Sequence, residues 1–230
     1  MISEESVKIT ANQRAAIEEI VKLFDDAEHH VKEIEHFADQ LTIPSINELR
    51  YVGYHLACAL TCSDAAELDD QVRKARGHCK RAIYDAHELG IIFCLEQIKG
   101  FQQRYQGNAH IVSNIISNYS DCLTKAKACS RYLAEANKNG RHDRDSYYDK
   151  CRPEFEKMRE ICDKFDEIGP EVDAEINRQN QESQVQARRF KVQMMFTILA
   201  LVVSVTIGGT IISLNLADGS PQTCEQLQIP

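Results

Sequence analysis

The sequence has no tryptophan, only ten glycines and five prolines, and no Cys-x-x-Cys pair. So few turn formers argue against an all-β or disordered chain, because short strands and unstructured segments both consume Gly and Pro. The closest cysteines, Cys58 with Cys62 and Cys122 with Cys129, exclude zinc-ribbon and thioredoxin-like spacing. No Gly-rich phosphate loop, Gly-x-Ser-x-Gly elbow or kinase-like motif set occurs, which removes the common nucleotide-dependent and hydrolase chemistries. No cofactor is expected. Positive charge is also short: 27 Lys and Arg face 35 Asp and Glu, a formal charge of −8 that disfavours general attraction to nucleic acid or anionic membranes. Met1 to Glu19 holds no apolar signal segment, and the cysteine count of nine is odd. The thiols are therefore expected to be small core hydrophobes of a protein in a reducing compartment.

What the chain does contain is one long uncharged run, Met194 to Leu214 (MMFTILALVVSVTIGGTIISL). At about 1.5 Å per residue it is about 30 Å long as a helix, the thickness of a bilayer's hydrocarbon core. Arg188, Arg189 and Lys191 precede it, whereas residues 217–230 hold no Lys or Arg and carry Asp218 and Glu225. That asymmetry predicts the bulk of the chain on the cytoplasmic side, with the basic trio within reach of anionic headgroups. Ala200, Ser204 and Gly208 recur every four residues, a small-residue stripe suited to a second helix.

Upstream, apolar residues alternate spacings of three and four. Ile17, Ile20, Phe24, Ala27, Val31, Ile34, Ala38 and Leu41 form one stripe, and Ile46, Leu49, Gly53, Leu56 and Leu60 a second behind Ser45 as N-cap. A third runs from Leu68 through Val72, Ala75, Cys79, Ala82, Ala86 and Leu89 to Phe93, its small central residues suited to close helix packing. Val112 to Ala136 makes a fourth, ended by Asn139-Gly140, and Tyr148 to Phe165 a fifth with Pro153 in its first turn. Short connections predict mutually antiparallel helices, and Gly169-Pro170 predicts a break before a polar stretch, NRQNQESQVQ, with no sustained apolar face.

The expectation is an all-α protein. An antiparallel helical bundle occupies 1–168, a polar juxtamembrane stalk 169–191, a single transmembrane helix 192–216 and a short non-cytosolic tail 217–230. Zippering of the fusion-protein type is disfavoured, because its heptads run directly into the membrane and these do not. His29, Glu33 and His36 show the Glu-x-x-His spacing of di-metal bundles, but heptad position turns them toward solvent and no second such motif exists, so no metal site is expected.

One further pattern concerns the stretch from Ile46 to Leu95, which contains NELRYVGYHLACAL and VRKARGHCKRAIYDAHELGIIFCLE. It resembles the helical domains of the HEPN superfamily over about fifty residues. HEPN ribonucleases carry an arginine followed, after four to six residues, by a histidine, and Arg50 with His55 and Arg81 with His87 match that spacing. Tyr51 and Ala82 stand where the family favours a polar residue. The resemblance implies metal-independent RNA cleavage, with His87 or His55 near the attacking ribose hydroxyl and the arginine stabilising phosphate charge. On one continuous helix, however, Arg81 and His87 lie about 120° apart, so a break or a dimer would be needed to aim both at one phosphate. The primary expectation is a noncatalytic, membrane-tethered interaction or regulatory module. Its partners would be the lipid bilayer and a second copy or another membrane protein, with RNA a partner only of the ribonuclease alternative.

Overall fold

The computed structural model describes residues 10–62, 64–138 and 144–217, with side chains described within 10–62, 64–136 and 149–206. Six α-helices account for nearly all of them: α1 Ala11–Ala38, α2 Ile43–Ala59, α3 Ala65–Arg104, α4 Ala109–Ile115, α5 Tyr119–Lys138 and α6 Arg144–Ala217. No strand occurs among the described residues. One compact unit extends through Val172 and a second begins at Asp173.

Local sequence accounts for the helix ends. Thr10 caps α1 through a reciprocal box: its hydroxyl accepts from the Gln13 amide, and the Gln13 side chain accepts from the Thr10 amide at 3.0 Å. Asp39 closes α1 in the left-handed region at φ 49°, a conformation that Asp tolerates better than most residues. The Thr42 amide then donates to Glu35 Oε1 at 2.8 Å, tying the turn to the helix it leaves. Thr42, rather than Ser45, precedes α2, and Ser45 is wholly buried inside the helix. Asp64 caps α3 by accepting from the Ala66 amide.

Within the first unit, α3 takes part in two successive three-helix cores. Its N-terminal half packs against α1 and α2, with Ile20, Ala27, Val52, Ala59, Leu68, Val72, Ala75, Cys79 and Ala82 in one cluster. Ala75, Cys79, Ala82 and Ala86 are fully buried, so these small side chains do allow two helix backbones to come close. Helix direction follows from the contacts. Gln13 meets Asp69, Glu19 meets Arg76, His30 meets His87 and Phe37 meets Phe93, so α1 and α3 run parallel. Glu48 meets Arg81 while His55 meets Gln71, so α2 runs antiparallel to α3. The expectation of mutual antiparallelism thus holds for α2 with α3 and α1 with α2, and fails for α1 with α3 and for α3 with α6, where His87 meets Phe155 and Phe101 meets Phe165.

Past Ala86, α3 keeps α1 as far as Phe93 and gains new partners. Its buried face moves to His87, Gly90, Ile91, Cys94 and Ile98, and the second core forms with α5 and α6. Phe101 stacks on Phe165 with ring centroids 4.4 Å apart, Tyr119 meets Phe165, and the Cys162 thiol donates to the Cys94 carbonyl at 3.4 Å. The fourth sequence stripe is interrupted at Ile116, where α4 gives way to α5.

Two expectations about proline fail. Pro153 is not in the first turn of α6, and the helix runs through Gly169-Pro170 without a break. Proline removes the amide that would pair with the carbonyl four residues earlier. Pro153 and Pro170 are exposed, and so are Asp149 and Asp166 at those earlier positions, so water can satisfy the carbonyls left over. On the opposite side Gly169 is buried, and the Tyr105 hydroxyl donates to its carbonyl at 3.2 Å. The expected stop at Asn139-Gly140 lies outside the described residues.

Cysteine burial gives a direct test of this packing. Cys79, Cys94, Cys129 and Cys151 are buried and free, whereas Cys58 is half-buried. Burial pushes the thiols of Cys79 and Cys129 up to about 11 and about 12, and raises that of Cys151 as well. Cys94 is raised first by its hydrogen bond with Cys162 and then by burial. Thiolate is the reactive form, so at neutral pH a maleimide should modify Cys58 at least about tenfold faster than those four. Peptide mapping by mass spectrometry reads the rates, and equal labelling would contradict the two cores.

Candidate functional site

Three features outside ordinary core packing are candidates for function. The first is in the second unit. Every described residue from 180 to 206 is exposed, including Phe190, Met195, Phe196, Leu199, Leu201 and Val205. Among the described residues this is the one helix with a segment long and apolar enough to cross a membrane, with a mean hydropathy of 1.4 over its best 18 residues. The exposed apolar side chains fall at 194–196, 198–199, 201–203 and 205, so they occupy all sides of the helix. Hydroxyls within the segment turn inward: Thr197 donates to the Gln193 carbonyl at 2.9 Å, Ser204 to Ala200 at 2.8 Å and Thr206 to Val203 at 2.8 Å. Ala200 and Ser204 therefore share a face, as their spacing requires, with the serine hydroxyl already used locally. Gly208 continues the helix, but its surroundings lie outside the described side chains.

Preceding the apolar segment, Arg178 is held by carboxylates on both sides. It donates to Glu175 at 2.7 Å and to Glu182 at 2.7 Å, and with Gln179 it lowers the Glu175 carboxyl to about 2. Arg188, Arg189 and Lys191 are exposed and take part in no ion pair among the described residues.

The second candidate lies between α2 and α3. Tyr51, His78 and His55 form a column of rings, with centroids 5.2 Å and 5.0 Å apart and interplanar angles of 29° and 21°. Glu48 Oε2 lies 2.6 Å from His78 Nδ1 and 2.7 Å from Arg81 Nε, and Arg81 Nη2 is also 2.6 Å from His78 Nδ1. A single ring nitrogen either donates to the carboxylate or accepts from the guanidinium, so the tautomer selects one contact. Burial lowers the His78 pKa, Arg81 lowers it further, and the Glu48 hydrogen bond opposes both. His55 is engaged through Nδ1 with Gln71 at 2.7 Å. Glu48, His55, His78 and Arg81 each have a polar protein partner, and the arrangement fastens α2 to α3.

This placement decides how the sequence-predicted residues relate to one another. Arg81 and His55 belong to the same cluster, joined through His78 and Glu48. His87 does not join them: it is 3% exposed and faces His30 and Phe155, on the side of α3 toward α1 and α6. Arg50 is exposed, with its guanidinium 5.5 Å from the adjacent Tyr51 ring. Arg81 is paired across helices with Glu48. Of the histidines on α1, His29 and His36 are exposed, and Glu33 is bound to Arg159 at 2.7 Å. No group of three or more His, Cys, Asp or Glu among the described residues is arranged to hold a metal.

Sequence reasoning missed His30, the third candidate. It is buried, its ring lies 5.0 Å from that of His87, and its Nδ1 has no hydrogen-bond partner, with Glu33 at 3.9 Å. The available signal was position. His30 lies three residues after Ala27 and four before Ile34, on the buried stripe of α1.

The outer face of α2 is apolar as well. Ile43, Ile46, Tyr54 and Leu60 are exposed, and a Cβ added at Gly53 would meet nothing within 4 Å. No protein family, curated protein or solved structure matches the chain.

Proposed function

We propose that the chain is a noncatalytic, membrane-tethered helical module that associates with a second copy of itself. It crosses the bilayer once through residues 192–216 and keeps residues 1–191 in the cytoplasm. The observation that carries this reading is the uncharged stretch of α6, whose large side chains from Met194 to Val205 are 46% to 71% exposed on every side. Water is a poor solvent for such a surface and lipid a good one. A helix lying flat on a membrane needs one polar face, which this segment lacks. The inward hydroxyls fit the same environment, where each polar group must be satisfied within the helix. Orientation rests on Arg188, Arg189 and Lys191 before the segment and on the lack of Lys and Arg in 217–230.

Self-association is supported by the Ala200–Ser204–Gly208 spacing within the span and by the exposed apolar face of α2 outside it. Tethering confines both surfaces to two dimensions, which raises the chance that copies meet.

Alkaline carbonate extraction tests the anchor. The full chain should stay with the membrane pellet, and a Leu199→Arg, Val202→Arg variant should shift to the supernatant, since each central arginine opposes insertion by about 3 kcal/mol. Release of the unchanged chain would overturn the proposal. Crosslinking in mild detergent tests association: Ala200→Ile should reduce the dimer band by several-fold, and a monomer under all conditions would refute self-association.

A further inference from the structure

Charge along the second unit changes sharply just before the apolar segment. Arg178 is neutralised by Glu175 and Glu182. Beyond Glu182 there is no acidic residue until Asp218, yet Arg188, Arg189 and Lys191 all lie in that interval. At about 1.5 Å of rise per residue, Glu182 is about 9 Å along the axis from Arg188, roughly one Debye length at physiological salt. The three cations are thus uncompensated by the protein, although the chain as a whole carries −8.

Their angular placement is informative. At about 100° per residue, Lys191, Arg188 and Arg189 spread over about 160° of the helix circumference, and Phe190 fills part of the remaining arc. Their side chains, like that of Phe190, are exposed. A narrow basic stripe would suit a flat anionic partner beside the helix. An arc of that width, ending one residue before uncharged apolar sequence, instead suits several anions gathered at one level along nearly half of the helix.

We propose that Arg188, Arg189 and Lys191 form a collar that recruits anionic phospholipid headgroups around the entry point of the span. The proposal rests on the membrane reading above and adds the lipid class. Guanidinium groups bind phosphate and carboxylate oxygens through paired N–H donors, and the lysine ammonium adds a point charge. Phe190 places an aromatic ring at the same level, where such rings favour the headgroup boundary.

Because the chain has no tryptophan, Phe190→Trp creates a single tryptophan donor inside the collar, excited at wavelengths that tyrosine does not absorb. The full-length variant is reconstituted into phosphatidylcholine vesicles containing a minority of phosphatidylserine. Either the choline lipid or the serine lipid carries a dansyl headgroup at equal mole fraction. Energy transfer to the serine lipid should exceed that to the choline lipid by about threefold or more. Adding Arg188→Gln, Arg189→Gln and Lys191→Gln, or raising the salt to molar levels, should bring the two to equality. Equal transfer from the unaltered collar, or a preference that survives the glutamine changes, would overturn the collar while leaving the anchor in place. Transfer to neither lipid would overturn both.

Discussion

Gly90→Val should lower the unfolding free energy by about 3 kcal/mol, whereas Gly53→Ala should raise it by about 0.5–1 kcal/mol. Both glycines are inside helices, so both substitutions gain helix propensity, and the opposite outcomes isolate packing. At Gly90 a Cβ would stand 2.6 Å from Phe155 Cε2 and 2.7 Å from Cδ2, with Ile34 Cδ1 at 3.1 Å. Those atoms belong to a buried ring and a buried side chain at the place where α1, α3 and α6 meet, so relief requires moving a helix. At Gly53 there is open space, and alanine only removes backbone entropy from the unfolded chain. Urea unfolding of the full chain in detergent, followed by circular dichroism, measures both. A Gly90→Val variant as stable as the parent would mean that α6 does not approach α3 at this level.

Stability should also fall by about 3 kcal/mol between pH 6.5 and pH 4, owing largely to His87. Burial holds its pKa down at about 4, and the charges of His30 on α1 and Arg152 on α6 act in the same direction. The hydrogen bond to the Ile83 carbonyl and the charge of Glu33 oppose the shift. A folded pKa below the unfolded value near 6.5 means that the unfolded chain binds the proton more readily. The contribution is therefore complete above about pH 6.5 and is lost as pH falls toward 4, about 2.5 pKa units at 1.36 kcal/mol each. Asp26 and Glu33 also face the pair through His30, at 3.7 Å and 3.9 Å, and partly offset the loss while they remain ionised. His87→Phe should flatten this part of the pH profile, and a profile unchanged by that substitution would remove His87 as its source.

Much of the first core is legible because the first halves of α1 and α3 each keep one buried face. Ile20, Ala27, Val31, Ile34, Leu68, Val72, Ala75, Cys79 and Ala82 are buried where the alternating spacing places them. The buried face of α2 lies half a face from the second stripe. Leu49 and Leu56 pack inward as expected, but Val52 and Ala59 complete the buried row, and Ile46 and Leu60 point outward. A helix apolar on two sides gives a spacing argument no means of deciding between them. The third stripe holds only to Ala86, beyond which α3 meets α6 while still touching α1 through His87 and Phe93, and its buried face moves by one residue. Such a change depends on partners far away in sequence.

The candidate sites show the same division. A membrane segment is a property of contiguous residues, so composition alone revealed it. The cluster of Glu48, His78 and Arg81 depends on Glu48 lying 30 or more positions from both partners, which no local pattern reveals. Arg81 and His87 fail to meet for a related reason. Short spacing along a helix fixes angular separation, and the structure places Arg81 against α2 and His87 against α1 and α6. The two prolines of α6 misled because their effect depends on whether the freed carbonyl faces water.

The most direct test of the central claim is glycosylation mapping in microsomes. A chain carrying an Asn-x-Thr acceptor on a short extension after Pro230 is translated in their presence, beside one carrying the acceptor on an extension before Met1. A single span entered from the cytoplasmic side predicts that the C-terminal acceptor is glycosylated and the N-terminal one is not. An unmodified C-terminal acceptor together with a modified N-terminal one would contradict the orientation, and modification of neither, with the chain free in the supernatant, would contradict the anchor itself.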